Sequence, residues 1–90
     1  MELKDTIALM ESKDYKDRFK AEYFQLKIRY EKLNRMLEKW RNGELDFEPT
    51  CPYKMLEEQL NVMWKYGCVL GMRAQLEGID LVRNDCLEEE

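Results

Sequence analysis

Histidine is missing from this chain of 90 residues, and its four glycines, two prolines and three cysteines are sparse. Each scarcity excludes something. Without histidine there is no Ser-His-Asp or Cys-His arrangement and no imidazole acid or base. With glycines only at 43, 67, 71 and 78, neither phosphate-loop pattern, GxxxxGK nor GxGxxG, can be written. The prolines stand together at 49 and 52, so helix can run almost unbroken on either side of them. Cys51, Cys68 and Cys86 form no CxxC pair, which leaves structural zinc without a ligand set. An odd cysteine count with no secretion signal reads as reduced thiols in a cytosol. No run approaches the roughly 18 to 20 apolar residues of a membrane span. Met1-Glu2-Leu3-Lys4-Asp5 puts acids where a signal peptide carries its basic region.

What is present is charge and apolar residues in helical order. Hydrophobic residues make up 44% and charged residues 38% of the chain, a mix that fits charged helices with one or two apolar faces. The expected fold is all-α: a single domain built as a long antiparallel two-helix hairpin with a short N-terminal helix. Residues 1–11 form the short amphipathic helix, with Leu3, Ile7 and Met10 at helical spacing. Ser12 or Asp14 caps a helix over 15–42, which Gly43 ends. Residues 44–51 connect, with Thr50 or Cys51 as the next N-cap and Pro52 in the first turn, where its missing N–H costs nothing. The second helix covers 52–77 and closes at Gly78, with Ile79 folding back on its last turn. The tail, 80–90, is acidic, with Leu81, Val82 and Leu87 as anchors.

The first long helix carries Phe19, Tyr23, Leu26, Tyr30, Leu33, Leu37 and Trp40 at alternating steps of four and three, an a/d seam. Leu56, Leu60, Met63, Gly67, Leu70 and Ala74 repeat that pattern on the second. In the antiparallel register read from the two patterns, Leu37 faces Leu60, Leu33 faces Met63 and Leu26 faces Leu70. Tyr30 then faces Gly67 and Tyr23 faces Ala74, small against large, as interdigitated layers require.

One stripe per helix is too little burial for a hairpin of this size. Phe24 and Ile28 lie off the seam, and residues 60–72 are apolar almost all round, the mark of a buried helix. Residues 1–11 cover part of this surface, and a homo-oligomer is expected to cover the rest. Phe24, Ile28, Trp64, Gly67 and Gly71 are the interface candidates, the last two because GxxxG spacing permits close helix approach. The same glycine at 67 is explained equally by making room for Tyr30.

No catalytic residue, metal site or cofactor is expected. Glu57 and Glu58 lie on a helix that offers no cleft to shift them. Cys51 beside Pro52 at a helix start has the position of a lowered-pKa thiol, and also that of a simple cap. Residues 13–41 hold ten Lys/Arg against five Asp/Glu, although the whole chain carries −4. Lys13, Lys20 and Lys27 recur at seven-residue spacing beside the seam, and Arg35 and Lys39 lie a turn apart on another face. In one account these cations flank the seam and pair with acids of the second helix or a neighbouring subunit. In another, a phosphate-bearing small ligand is held between subunits by Lys13, Lys20 and Lys27, with its base stacked on Tyr15 or Tyr23. Nucleic acid fits poorly, because an acidic protein without a dominant basic patch is a weak polyanion binder.

The stretches 15–23 and 33–40, and above all Leu45-Asp46-Phe47-Glu48-Pro49-Thr50-Cys51-Pro52, resemble a group of short bacteriophage proteins related to a gene product of a crAss-like gut phage. Leu56-Glu57-Glu58-Gln59, Arg73-Ala74 and Glu77-Gly78-Ile79 fit the same pattern, so the resemblance covers about residues 15–80. It implies a phage origin, a bacterial host's cytoplasm, and a non-enzymatic accessory role. Small phage accessory proteins are frequently anti-defence factors, which bind a host defence protein or sequester its cyclic nucleotide signal. The resemblance points to the loop residues Phe47, Thr50, Cys51 and Pro52, and to Arg73, as places where function would sit. Phe47 equally has the position of a cover for the end of the hairpin. The competing expectation is a structural or adaptor coiled-coil module, or a regulator acting by helix pairing.

Overall fold

In the computed structural model, which describes residues 1–81, a 3₁₀ turn (Leu3–Thr6) runs into a one-turn helix α1 (Ile7–Met10). Two long helices follow, α2 (Tyr15–Arg41) and α3 (Tyr53–Glu77). α2 has 27 residues, about 40 Å at 1.5 Å per residue. Its length sets the 43 Å long axis of a molecule only 24 and 20 Å across. α3 packs antiparallel against it, and the N-terminal segment lies along α2.

Local chemistry fixes each helix end. The Asp14 carboxylate accepts the Lys16 N–H at 3.0 Å, satisfying one of the orphan donors at the start of α2. Ser12 ties the joint: its hydroxyl accepts the Asp14 N–H at 3.0 Å and donates to the Asp17 carboxylate at 2.8 Å. The Arg18 guanidinium donates to its carbonyl at 2.7 Å. α2 ends at Gly43, whose φ of +72° is open to glycine at little cost. The next N–H, of Glu44, turns back to the Lys39 carbonyl at 2.8 Å. α3 starts one residue later than the sequence suggests. Pro52 is itself the cap residue, with φ −62° and ψ 147°, and its carbonyl receives the Met55 and Leu56 N–H groups. Thr50 and Cys51 are exposed and cap nothing. At the other end Gly78 adopts φ +69°, and the Ile79 N–H bonds to the Ala74 carbonyl at 2.8 Å. Ile79 folds back into the core as expected, with Leu81 beside it.

The core joins Phe19, Tyr23 and Leu26 of α2 to Leu70 and Ala74 of α3, with Ile79 and Leu81 closing it. Leu37 is fully buried further toward the tip. The seams are therefore the expected ones, but their register differs by about one helical turn of 3.6 residues. Tyr30 meets Trp64, ring centroids 6.1 Å apart, about one turn before Gly67. Trp40 meets Tyr53 edge-on at 5.3 Å, and the Arg73 guanidinium lies 4.9 Å from the centre of the Phe19 ring. A pattern that repeats every three or four residues maps onto itself after a slip of one turn. The contacts at the two helix ends decide between the alternatives.

The N-terminal segment also buries a different face from the expected one. Ile7 and Met10 are exposed, whereas Leu3 and Leu9 are half-buried and Thr6 is fully enclosed. The 3₁₀ turn explains the burial of Leu3 and Thr6, which line up at three residues per turn, and Leu9 follows three residues further on in α1. Cys68 is disulfide-bonded, contrary to the expectation of three reduced thiols, and Cys51 is a free, exposed thiol. Cys86 and the apolar tail anchors Val82 and Leu87 lie outside the described residues.

Candidate functional site

The last turns of α2 carry Lys32, Arg35, Met36 and Lys39 at steps of three, one and three, so the four share one helix face. Gly43 reverses the chain, and Glu44, Leu45, Asp46 and Phe47 come back over that face. Between helix and connection lies a cleft of about 310 Å³ lined by these eight residues, at the lower end of the range for small-ligand sites. A second hollow of about 210 Å³, lined by Trp40, Gly43, Leu45, Phe47, Glu48 and Pro49, adjoins it and shares Leu45 and Phe47.

Two contacts hold the tip. The Arg41 guanidinium donates to the Tyr53 hydroxyl at 2.6 Å, and the Tyr53 ring meets Trp40. They join the end of α2 to the start of α3, so the connection between them has both ends fixed. The hydrogen bond to Tyr53 raises the Arg41 pKa above its ordinary value.

Three cations and two carboxylates line the cleft. Among the described residues, neither a salt bridge nor a side-chain hydrogen bond engages Lys32, Arg35 or Lys39. The helix C-terminus favours these cations, but no described residue pairs with them. Phe47 stands 55% exposed, a large apolar ring left at the mouth of a basic hollow. Unpaired cations converging beside an accessible aromatic face are what a planar, negatively charged small molecule requires.

The other sequence-derived candidates are placed apart. Lys13 and Tyr15 are exposed at the far end of the hairpin, and Lys20 is half-buried on α2. Tyr23 is a core residue, 1% exposed, and presents no ring for a ligand to stack on. Lys27 lines a separate hollow of about 240 Å³ with Met1, Phe24, Ile28 and Glu31. Arg73 is occupied by the Phe19 ring and by Glu77 at 3.1 Å. Of the loop candidates, Phe47 lines the cleft and Thr50, Cys51 and Pro52 do not. Of the interface candidates, Phe24 and Ile28 are half-buried beside Met1, and Trp64 packs on Tyr30. Gly67 and Gly71 are buried in the chain's own fold.

Sequence reasoning noted Arg35 and Lys39 but missed Lys32, Met36, Glu44, Leu45 and Asp46. The available signal was the spacing of Lys32, Arg35 and Lys39 just ahead of a helix-ending glycine. Among the described residues no group of three or more acidic or cysteine side chains is placed to hold a metal. No helix is long and apolar enough to cross a membrane.

No curated protein and no solved structure matches the chain. A family model described as Sequestin matches residues 13–76, which spans the whole of α2, the connection with its cleft, and all but the last residue of α3; the chain belongs to the Sequestin family.

Proposed function

We propose that this protein captures a small anionic ligand, a nucleotide signal, in the basic cleft at the hairpin tip, and acts by withholding it without chemical change. The observation that carries the reading is the cleft itself: Lys32, Arg35 and Lys39, unpaired among the described residues, line it together with the exposed Phe47 ring. The family's name describes sequestration, which supports binding over catalysis. The resemblance to short phage proteins supports a phage-encoded anti-defence factor in the cytoplasm of a bacterial host. There it would remove the cyclic nucleotide by which a defence system signals.

The test is calorimetric titration of the full chain with a panel of linear and cyclic mono- and dinucleotides, at low and at 0.3 M salt. Binding by the wild type, weakened at least tenfold in Arg35→Glu with an unchanged circular dichroism spectrum, is the expected result. Binding that ignores Arg35, Lys32 and Lys39 would place the ligand elsewhere. A wild type that binds none of the panel would leave direct binding of a defence protein as the anti-defence route. The adaptor reading has an observation of its own, the apolar face that α3 turns to solvent.

A further inference from the structure

The connection that roofs the cleft hangs from the last turn of α2. The Asn42 and Gly43 N–H groups return to the Glu38 and Trp40 carbonyls, each at 3.1 Å, and the Glu44 N–H returns to the Lys39 carbonyl at 2.8 Å. Glu44 is the first of the four connection residues that line the cleft. When the last turn opens, the Lys39 carbonyl turns away and Glu44 loses its tether. Leu45 to Phe47 then no longer lie over Lys32 and Arg35. The end of a helix is where opening is easiest, because its final carbonyls have no partner further along. This end is also bare: Arg41, Asn42, Gly43 and Glu44 are all exposed.

What restrains this end comes from the other helix. Tyr53 opens α3, twelve positions beyond Arg41. Its hydroxyl accepts the Arg41 guanidinium at 2.6 Å, and its ring meets Trp40 edge-on at 5.3 Å. Both partners sit in the last turn of α2, immediately after Lys39. Trp40 also lines the hollow that adjoins the cleft, whereas Tyr53 lines neither space. A bound molecule would therefore not touch Tyr53. We infer that Tyr53 is a positioning residue: by holding Trp40 and Arg41 it keeps the last turn of α2 wound, and so keeps the cleft assembled. The ring contact places Trp40, and the hydrogen bond takes up the freedom of Arg41. The use of the cleft rests on the ligand reading above, but its assembly is observable with nothing bound. A bond between exposed groups competes with water, so its loss shifts local opening and leaves global unfolding almost unchanged.

Residue-resolved amide exchange on the full chain tests it. Tyr53→Phe keeps the ring against Trp40 and removes the acceptor for Arg41. Exchange at the Gly43 and Glu44 amides is expected to quicken about three- to tenfold, the scale of one lost hydrogen bond. The Leu26 and Leu70 amides in the core keep their rates. Arg41→Ala has the same effect, and the double variant adds nothing to either single one, because both remove the same bond. A general loosening of the fold would not give that pattern. Inorganic pyrophosphate, a probe of the converging Lys32, Arg35 and Lys39, is expected to bind the wild type and to bind each variant several-fold more weakly. An unchanged Glu44 rate in Tyr53→Phe, or single effects that add in the double variant, would overturn the inference. Glu44 responding as expected in a protein that binds no pyrophosphate would sink the ligand reading and leave the positioning role standing.

Discussion

Gln25 donates its side-chain N–H to the Thr6 hydroxyl at 2.9 Å, and that hydroxyl donates onward to the Leu3 carbonyl at 2.7 Å. Thr6 is the fully buried polar residue among the described residues, so this short chain of hydrogen bonds fastens the N-terminal segment to α2. The Met10 sulfur accepts the same Gln25 amide at 3.1 Å.

Thr6→Val keeps the shape of the side chain and removes both bonds, leaving the Gln25 amide short of an acceptor. The expected cost is about 1 to 2 kcal/mol, or a fall in Tm of roughly 4 to 8 °C per kcal/mol for a domain of this size. A thermal melt reads the loss, and amide exchange localises it to residues 3–10. An unchanged Tm would mean that the segment contributes nothing to stability.

Leu37→Ala empties a fully buried position in the tip half of the seam and should cost about 2 to 5 kcal/mol by urea denaturation. Phe47→Ala, ten residues on in the connection, should leave stability within about 0.5 kcal/mol, because an exposed ring is removed. Similar effects from both would contradict the division between seam and cleft.

The cleft makes opposite demands of its two charge types. Phe47→Ala should weaken nucleotide binding about tenfold, the usual scale of a lost base–aromatic stack. Asp46→Asn should strengthen it at low salt, since it removes a carboxylate that repels the ligand's phosphate. The gain should shrink as salt screens the site. Calorimetry at two ionic strengths separates these cases. A weaker Asp46→Asn variant would mean that Asp46 receives a hydrogen bond from the ligand.

The Tyr66 hydroxyl donates to the Glu22 carboxylate, and that bond is the main reason its pKa lies above the usual 10.0, with burial second. The folded state thus holds the Tyr66 proton more tightly than the unfolded chain does. The resulting stability is fully present below pH 10 and is lost as pH rises through the folded-state pKa. Tyr66→Phe should remove this part of the alkaline destabilisation. Urea denaturation at pH 8 and pH 11 checks it, and an identical pH slope in both proteins would show that the bond carries no stability.

The elements of the fold were legible because periodicity is a local property. Phe19 to Trp40 announce their face in order, and Gly43 and Gly78 announce the ends. The register was not legible, since sliding α3 by one turn leaves Leu56, Leu60 and Met63 on the same face. What distinguishes the registers is the meeting of Trp40 and Arg41 with Tyr53 across the tip. Thr6 was missed because its burial follows from a 3₁₀ turn, whose period differs from that of the α-helix used to read residues 1–11. Among the cations, the row of Lys13, Lys20 and Lys27 was visible as spacing, but none of the three lines the cleft. The cleft exists only once Glu44 to Phe47 fold back onto Lys32, Arg35 and Lys39, and helical periodicity says nothing about where a connection lies.

Every wall of that cleft comes from residues 32 to 47, one uninterrupted stretch of chain. Closing so short a segment carries little loop entropy, and none of its cations belongs to either seam. If the cleft captures a ligand as proposed, its preference can be rewritten by changes confined to this stretch while the hairpin is left alone. A few substitutions near the tip would then follow a ligand of altered shape without the fold being rebuilt.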